Sequence, residues 1–411
     1  MQQDVQGKVD SRAMREVNRS IVLDIIRRGG RVSRTDLARR STLTKPTVSA
    51  IVEDLIAGGI VQEVGFGKTV ASGGRRARLL EFNDHSAAYL GIRFGVGTTM
   101  VGIADARGEI RATGEVATTH GDARQSLADA LALIDEVVRD SELPRERLKA
   151  VGVTVPGLVN QASGEVTLAP NLAWRAVPMR ALVREALGLP VVVTNVTNAG
   201  AIAEGRVGAA RGVRSFVWVH VGTGVGAGIM IDGQLFNGHL GYSGEIGHCP
   251  VVSNGPLCPC GLRGCLEQLA SSAAMTRAAE QAVLRGEQTL LAGFERRDAR
   301  ALTVAARAGD TVALRILTQA GEFLGIGLSF LMNLLNPEML VLGGSVSDAA
   351  EFLLGPLRSS AARHTLAAEN VKIVSSTLGD RAALVGSVLT AMDLSVRSYR
   401  VVATGERMAL G

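Results

Sequence analysis

Apolar residues recur at Val17, Ile21, Val22, Ile25 and Ile26, the three- and four-residue spacing of one helix face. Gly29-Gly30 stops the pattern, which predicts a helix from Met14 to Arg28. Ser33 and Asp36 in SRTD form a capping box that opens a short helix, TDLARRS. Ser41 to Leu43 reads as a turn. Thr44 is an N-cap and Pro46 sits in the first turn of KPTVSAIVEDLIAGG. Val48, Ile51, Val52, Leu55 and Ile56 form its inward face, and Gly58-Gly59 ends it. IVQEVGF and ARLLEF follow as strands on either side of GKTVASGGRR, a glycine-rich basic tip.

Helix, helix, tight turn, helix and two-stranded wing make a winged helix-turn-helix. From Tyr89 the period shortens. YLGIRFGVGTTMVGIADARGEIRATGEV reads as strand, glycine turn, strand, turn, strand, followed by a helix over about Ala123 to Asp140. AVGVTVP is a buried strand closed by Pro156-Gly157, and VVVTN at 191–195 is another, leading into AGAIAEGRVG. SFVWVHVGTGVGAGIMIDGQLF repeats the strand, glycine turn, strand unit, and EMLVLGGSVS runs a strand into a third glycine turn. Gly95 and Gly97, Gly222, Gly224 and Gly226, and Gly343-Gly344 are turns whose backbone amides can face a phosphate, or glycines that tight hairpins need anyway. Two halves that each begin with such a hairpin predict a two-lobed α/β body with a cleft.

Charge adds a partner. Residues 1–82 carry 15 lysines and arginines against 9 acidic residues, while the rest carries 29 against 30. The basic excess of the first fifth points to a polyanion at one end only. Lys45, Thr47 and Ser49 open the third helix, where base edges of double-stranded DNA are read. Lys68, Arg75 and Arg76 on the wing are placed to meet phosphates or the minor groove. A small helical protein-binding module is the competing reading. The 411 residues suffice for two to three domains, and aromatic residues make up only 3%, so Leu, Val, Ile and Ala must build the cores. No apolar run approaches the roughly 18 residues of a membrane span, and the polar N-terminus lacks a signal-peptide core, so a cytoplasmic protein is expected.

All four cysteines fall in GEIGHCPVVSNGPLCPCGLRGCLE, Gly244 to Glu267. His248 with Cys258, Cys260 and Cys265 is a Cys3His tetrahedral donor set, expected to hold a structural zinc with no open position for chemistry. Buried small hydrophobes or a disulfide are the other readings. Cys249 follows His248 directly, so its side chain is expected to point elsewhere.

The ordered motifs VGTGVGAGI, GEIGH, CPCGLRGCLE and NPEMLVLGG resemble the ROK family, as do NRSIVLDIIRRGGRVSRTDLARRSTLTKPTVSAIVEDLI and SGGRRARLLEF at the DNA-binding end. That family contains bacterial sugar kinases and sugar-responsive repressors. The resemblance implies an actin-like ATPase (ribonuclease H-like) body behind the winged helix-turn-helix. It divides the chain into 1–84, a first lobe over 85–196 with a returning helix at about 380–398, and a second lobe over 197–379 with the zinc loop and an oligomerisation surface. It matches Gly157, Asn171, Asn195, Glu245, His248 and Glu267 to sugar contacts, and His248, Cys258, Cys260 and Cys265 to zinc ligands. Two positions depart. The family's kinases carry a proton-accepting Asp where this chain has Val196, and another near metal and phosphates where it has Arg93, with Gly97 at their Thr. Arg93 then has two readings, an anionic ligand or a surface or inter-lobe ion pair. Together these imply a regulator, homodimeric or tetrameric, that answers a sugar or sugar phosphate and has lost kinase activity. An active sugar kinase carrying a DNA-binding domain, and a regulator that answers a protein instead, are the alternatives.

Overall fold

The computed structural model describes residues 11–67, 76–366 and 368–404. The chain divides into two compact units. One comprises Met1–Ala88, Ala104–Arg111 and Glu142–Leu148; the other comprises Tyr89–Ile103, Ala112–Ser141 and Lys149–Gly411.

In the first unit, α1 (Ser11–Gly29), β1 (Val32–Ser33), α2 (Arg34–Ser41), α3 (Lys45–Ala57), β2 (Val61–Phe66) and β3 (Arg78–Phe82) follow in order. The caps are those expected. Ser33 Oγ accepts from Asp36 N, with the reciprocal bond present, and Thr44 caps α3 with Pro46 in its first turn. Val22, Ile26, Leu37, Val48, Val52, Leu55 and Leu80 are fully buried together. The apolar face of α1 is only half used: Val17 and Ile21 stay 54% and 39% exposed. Strands β1, β3 and β2 form the wing sheet. Arg107, from the turn of a later hairpin, pairs with Asp84 at 2.6 Å and lies over the Phe82 ring.

The second unit repeats one sheet plan. The first lobe has β4 (Ala88–Phe94), β5 (Thr98–Ala104), β6 (Ile110–Ala117), α4 (Ala123–Asp140) and β7 (Leu148–Val155). A small hairpin layer follows, β8 (Leu158–Asn160), β9 (Glu165–Ala169) and β10 (Trp174–Val177), then α5 (Met179–Leu187), β11 (Val191–Asn195) and α6 (Val196–Val207). The second lobe has β12 (Phe216–Val221), β13 (Val225–Ile231) and β14 (Gln234–Leu235). Helices α7 (Leu266–Ala270), α8 (Ser272–Leu284), α9 (Ala299–Arg307) and α10 (Thr311–Leu335) come next, then β15 (Met339–Gly343), α11 (Ala350–Ala362) and β16 (Lys372–Ser375). The main sheets run β6-β5-β4-β7-β11 and β14-β13-β12-β15-β16, a meander extended by two further strands each time. Parallel pairing joins β11 to β7, β12 to β15 and β15 to β16. Of these, β7, β12 and β15 are largely buried, which is why they read as apolar runs, while β16 lies at the sheet edge with Lys372 and Ser375 exposed. The last helix, α12 (Ala382–Thr404), returns to pack along α6 and β11. This duplicated, two-lobed α/β body is the actin-like fold. Among the described residues no helix is long and apolar enough to cross a membrane.

Candidate functional site

The glycine turn between β12 and β13 brings distant side chains together. A Cβ on Gly224 would lie 2.5 Å from Glu267 Oε2, which would have to move, and 3.7 Å from Asn171 Nδ2, in ordinary contact, so this glycine brings the two side chains to one spot. Glu267 enters from the first turn of α7 and its Oε2 accepts from Val225 N at 3.1 Å. Asn171 comes from a single 3-10 turn, Pro170–Leu172. Glu245 and His248 flank another, Ile246–His248, where His248 N donates to Glu245 O at 3.1 Å. Burial holds the Glu245 carboxyl above its ordinary pKa, against the pull of His248 and with the help of Glu267. Carboxylates and carboxamides crowded into a half-buried wall suit the fixed donor and acceptor directions of hydroxyl groups.

Asn195 is more constrained. It caps α6, its Oδ1 accepting from Thr197 N at 2.6 Å and Thr197 Oγ1 at 2.7 Å, while its Nδ2 donates to Gly157 O at 2.6 Å. One N–H remains for any ligand. Gly157 itself has φ 106°, with its missing Cβ 2.3 Å from Leu168 O, so that carbonyl is held in place by the adjoining hairpin. Val196 follows as the first helical residue, half-buried and without a polar atom on its side chain.

The other glycine turns meet two basic side chains. His220, one residue before the end of β12, is packed between Gly222 and Gly344. Arg93 is one residue before the end of β4, and its Nη2 donates to Asp380 Oδ1 at 3.0 Å. The Arg93 side chain is 12% exposed, its Nη1 meets Met100 Sδ, and its Nε has no partner among the described residues. Burial, then the nearby Arg93 charge, push the His220 pKa down to about 4, with Asp380 opposing. The partner Arg93 meets in this structure is the Asp380 carboxylate.

The thiols form a closed cluster. The donor atoms of His248, Cys258, Cys260 and Cys265 all lie within 4.8 Å of one another. Cys260 Sγ to Cys265 Sγ and Cys258 Sγ to His248 Nδ1 are each 3.7 Å. A tetrahedron with metal–sulfur bonds of about 2.3 Å has edges of about 3.8 Å. Pairings of Pro250 with Cys265 and Leu257 with Arg263 fold the loop, and Gln268 Nε2 reaches Cys258 Sγ from behind. All four cysteines are free, which removes the disulfide reading. Burial pushes the Cys265 thiol up to about 12 and Cys258 upward as well, while, against its own burial, hydrogen bonds from the Leu262 backbone and the neighbouring thiols draw Cys260 down; a bound cation would favour the thiolate at all three. The donor set is a possible metal site that fits the tetrahedral preference of zinc. Cys249 stands outside it and packs on the second-lobe core.

On α3, Lys45 and Pro46 are exposed, while Thr47 and Ser49 are half-buried around buried Val48. The Thr47 hydroxyl is 2.8 Å from Thr44 Oγ1, and Thr47 with Ala50 and Ile51 faces Met14, Arg15 and Asn18 of α1 across an open groove. Arg76 is exposed at the wing base. Lys68 and Arg75 lie outside the described residues.

The fold and these sites define a class: a winged-helix reader of DNA joined to a two-lobed body of sugar-kinase type. The ROK family pattern matches residues 89–393, and a winged helix-turn-helix DNA-binding pattern matches 18–62. The chain belongs to the ROK family. It is 34% identical over 381 residues to the "Xylose repressor" of Caldicellulosiruptor bescii, covering 91% of this chain and 95% of that protein. It is also 34% identical over 308 residues to the "Glucokinase" of Streptomyces coelicolor, covering 72% and 95%. A crystal structure of a ROK family transcriptional regulator, a homolog of the E. coli MLC protein, superposes with a TM-score of 0.78 at 29% identity, covering 95% of this chain and 99% of that one. A ROK family glucokinase from Streptomyces griseus, solved with glucose and AMPPNP, gives 0.69 at 33% identity over 75% and 100%. The kinase likenesses span the body; the repressor likenesses span the winged helix too.

Proposed function

We propose that this chain is a sugar-responsive DNA-binding repressor of carbohydrate uptake or metabolism genes, acting in the bacterial cytoplasm as a homodimer or tetramer. The observation that carries this reading is the state of the cleft. Asn171 and Glu267 converge at Gly224 with Glu245 and His248 alongside, while the residue after Asn195 is Val196. In this reading the wall binds hydroxyl groups, and Val196 has no atom that could accept a proton; general base catalysis is worth about 10²–10⁴ in rate. Arg93 paired to Asp380 also puts a cation where phosphoryl transfer wants a metal-binding carboxylate. Gly157 and Asn195 complete the effector site.

Zinc held by His248, Cys258, Cys260 and Cys265 is structural. It sets the loop that carries Glu245 and Glu267, and the second His248 ring nitrogen remains for a sugar hydroxyl. Residues 1–84 form the reading head. Lys45, Thr47 and Ser49 face base edges, and Lys68, Arg75 and Arg76 face phosphates. The sugar acts by binding one arrangement of the protein more tightly than another, a difference of typically 1–3 kcal/mol. The repressor relatives make xylose the first effector to try. The test is operator affinity by fluorescence anisotropy, with and without xylose, glucose and their phosphates. An effector shifting operator affinity by fivefold or more, about 1 kcal/mol, is expected. ADP release is measured on the same panel; sugar-dependent turnover of about 1 s⁻¹ or more would make the chain a kinase instead.

A further inference from the structure

This inference rests on the sugar-sensing reading of the cleft and adds residues that reading leaves unused. Asn198 lies three residues after Asn195, on the same side of the first turn of α6. It is 1% exposed. Its Nδ2 donates to Asn237 Oδ1 at 3.4 Å, and Gln161 Nε2 donates to the same oxygen at 2.7 Å. The Oδ1 of Asn198 is buried and has no hydrogen-bond partner among the described residues. With Asn237 and Gln161 oriented as they are, turning the Asn198 amide over would set nitrogen free and oxygen against oxygen at Asn237, so in this arrangement the free atom is an acceptor. A buried acceptor without a donor is rare in folded proteins.

The neighbouring residues bring the segment that carries Asn198 beside the segments that carry the effector residues. Thr197 Cγ2 would lie 2.8 Å from a Cβ on Gly226, which in turn would lie 4.0 Å from Gly244 O, next to Glu245. Asn237 O accepts from Ser243 N at 3.3 Å, again beside Gly244. Gln161 follows β8, which starts one residue after Gly157. The amide chain Gln161, Asn237, Asn198 therefore ties together the three segments that carry Gly157, Asn195 and Glu245.

We propose that Asn198 is a further sugar-contact residue, its Oδ1 accepting the hydrogen of one sugar hydroxyl, with Asn237 and Gln161 as positioning residues that aim it. It stands two residues after Val196, about 200° round α6, so its contact is additional to any that Val196 lacks. The site selects a ligand with a hydroxyl donor at one ring position and discriminates against its deoxy and fluoro analogues.

Calorimetry on the full chain tests this with xylose, glucose and their monodeoxy and monofluoro analogues. Wild type is expected to bind the analogue altered at one position about tenfold more weakly than the parent sugar. Asn198→Ala is expected to bind parent and analogue alike. Gln161→Ala, at a half-buried turn, is expected to lose the same discrimination by a smaller factor. If Asn198→Ala folds and keeps the wild-type discrimination at every position, the assignment of Asn198 is wrong while sugar sensing stands. If wild type binds none of the panel, the sugar-sensing reading falls and the inference with it. Should Asn198→Ala fail to fold, Gln161→Ala decides: unchanged discrimination overturns the proposal, and a loss confined to one position supports it.

Discussion

Replacing Cys260 by alanine separates metal, effector site and DNA reading. Cys260 is exposed, so its removal opens no cavity, and a surface change of that kind alone costs within about 0.5 kcal/mol. The metal term is far larger. Structural zinc sites of this kind contribute about 10–16 kcal/mol of apparent binding free energy. Outer-shell changes alone cost 10–100-fold in metal affinity, and losing a direct thiolate costs more. A site at 1,000 times its dissociation constant contributes about 4 kcal/mol to the folded state. Most of that goes, lowering the melting temperature of the second unit, which spans most of the chain, by roughly 5 °C. Cys265 caps the helix that carries Glu267, and His248 ends the turn that begins at Glu245. Loosening either moves a carboxylate of the sugar wall. The winged helix has its own core around Val22, Leu37, Val48, Leu55 and Leu80, so operator binding should persist. Metal content by plasma mass spectrometry and operator anisotropy with and without sugar give the readout. Loss of zinc with a wild-type sugar response would break the link between the cluster and sensing; so would a variant that keeps one zinc per chain.

Gly224→Ala should cost about 1–3 kcal/mol in sugar affinity, because its Cβ would sit 2.5 Å from Glu267 Oε2; unchanged calorimetric affinity would contradict the placement of Glu267 in the site. His220 makes stability depend on pH. Its folded pKa of about 4 lies below the ordinary 6.5, so its contribution is whole above pH 6.5 and declines as pH falls toward 4. His220→Gln should flatten that decline by up to about 3 kcal/mol in urea titrations, and an equal slope in both proteins would show that the ring titrates normally. On the wing, Arg76→Ala should weaken binding to all duplexes alike and lower the salt slope by about 1. Lys45→Ala should cost about 1–3 kcal/mol on the preferred operator and relax its choice of bases; a uniform loss over all sequences would place Lys45 on phosphate instead.

Local chemistry was legible in the chain alone. SRTD and Thr44-Lys45-Pro46 cap helices wherever they stand, because a cap needs only residues within one turn. Cys258, Cys260, Cys265 and His248 gather because a short glycine- and proline-rich loop lets few other arrangements satisfy four donors. Apolar runs gave the buried parallel strands, since both of their faces are covered. Tertiary structure decided the rest. Periodicity marked the apolar face of α1 but not how much of it would be covered, and Val17 and Ile21 remain exposed. Arg93 had two readings until the return of the chain before α12 set Asp380, 287 residues away, beside it. Asn171 and Glu267 meet only because a hairpin layer, a sheet turn and a helix start converge on a glycine without a side chain. Asn198 gave one hint in sequence, its three-residue step from Asn195, yet nothing local could reveal an acceptor left without a donor. Spacing along the chain fixes which groups share a turn; which groups share a cleft depends on sheet order and on the close approaches that order imposes.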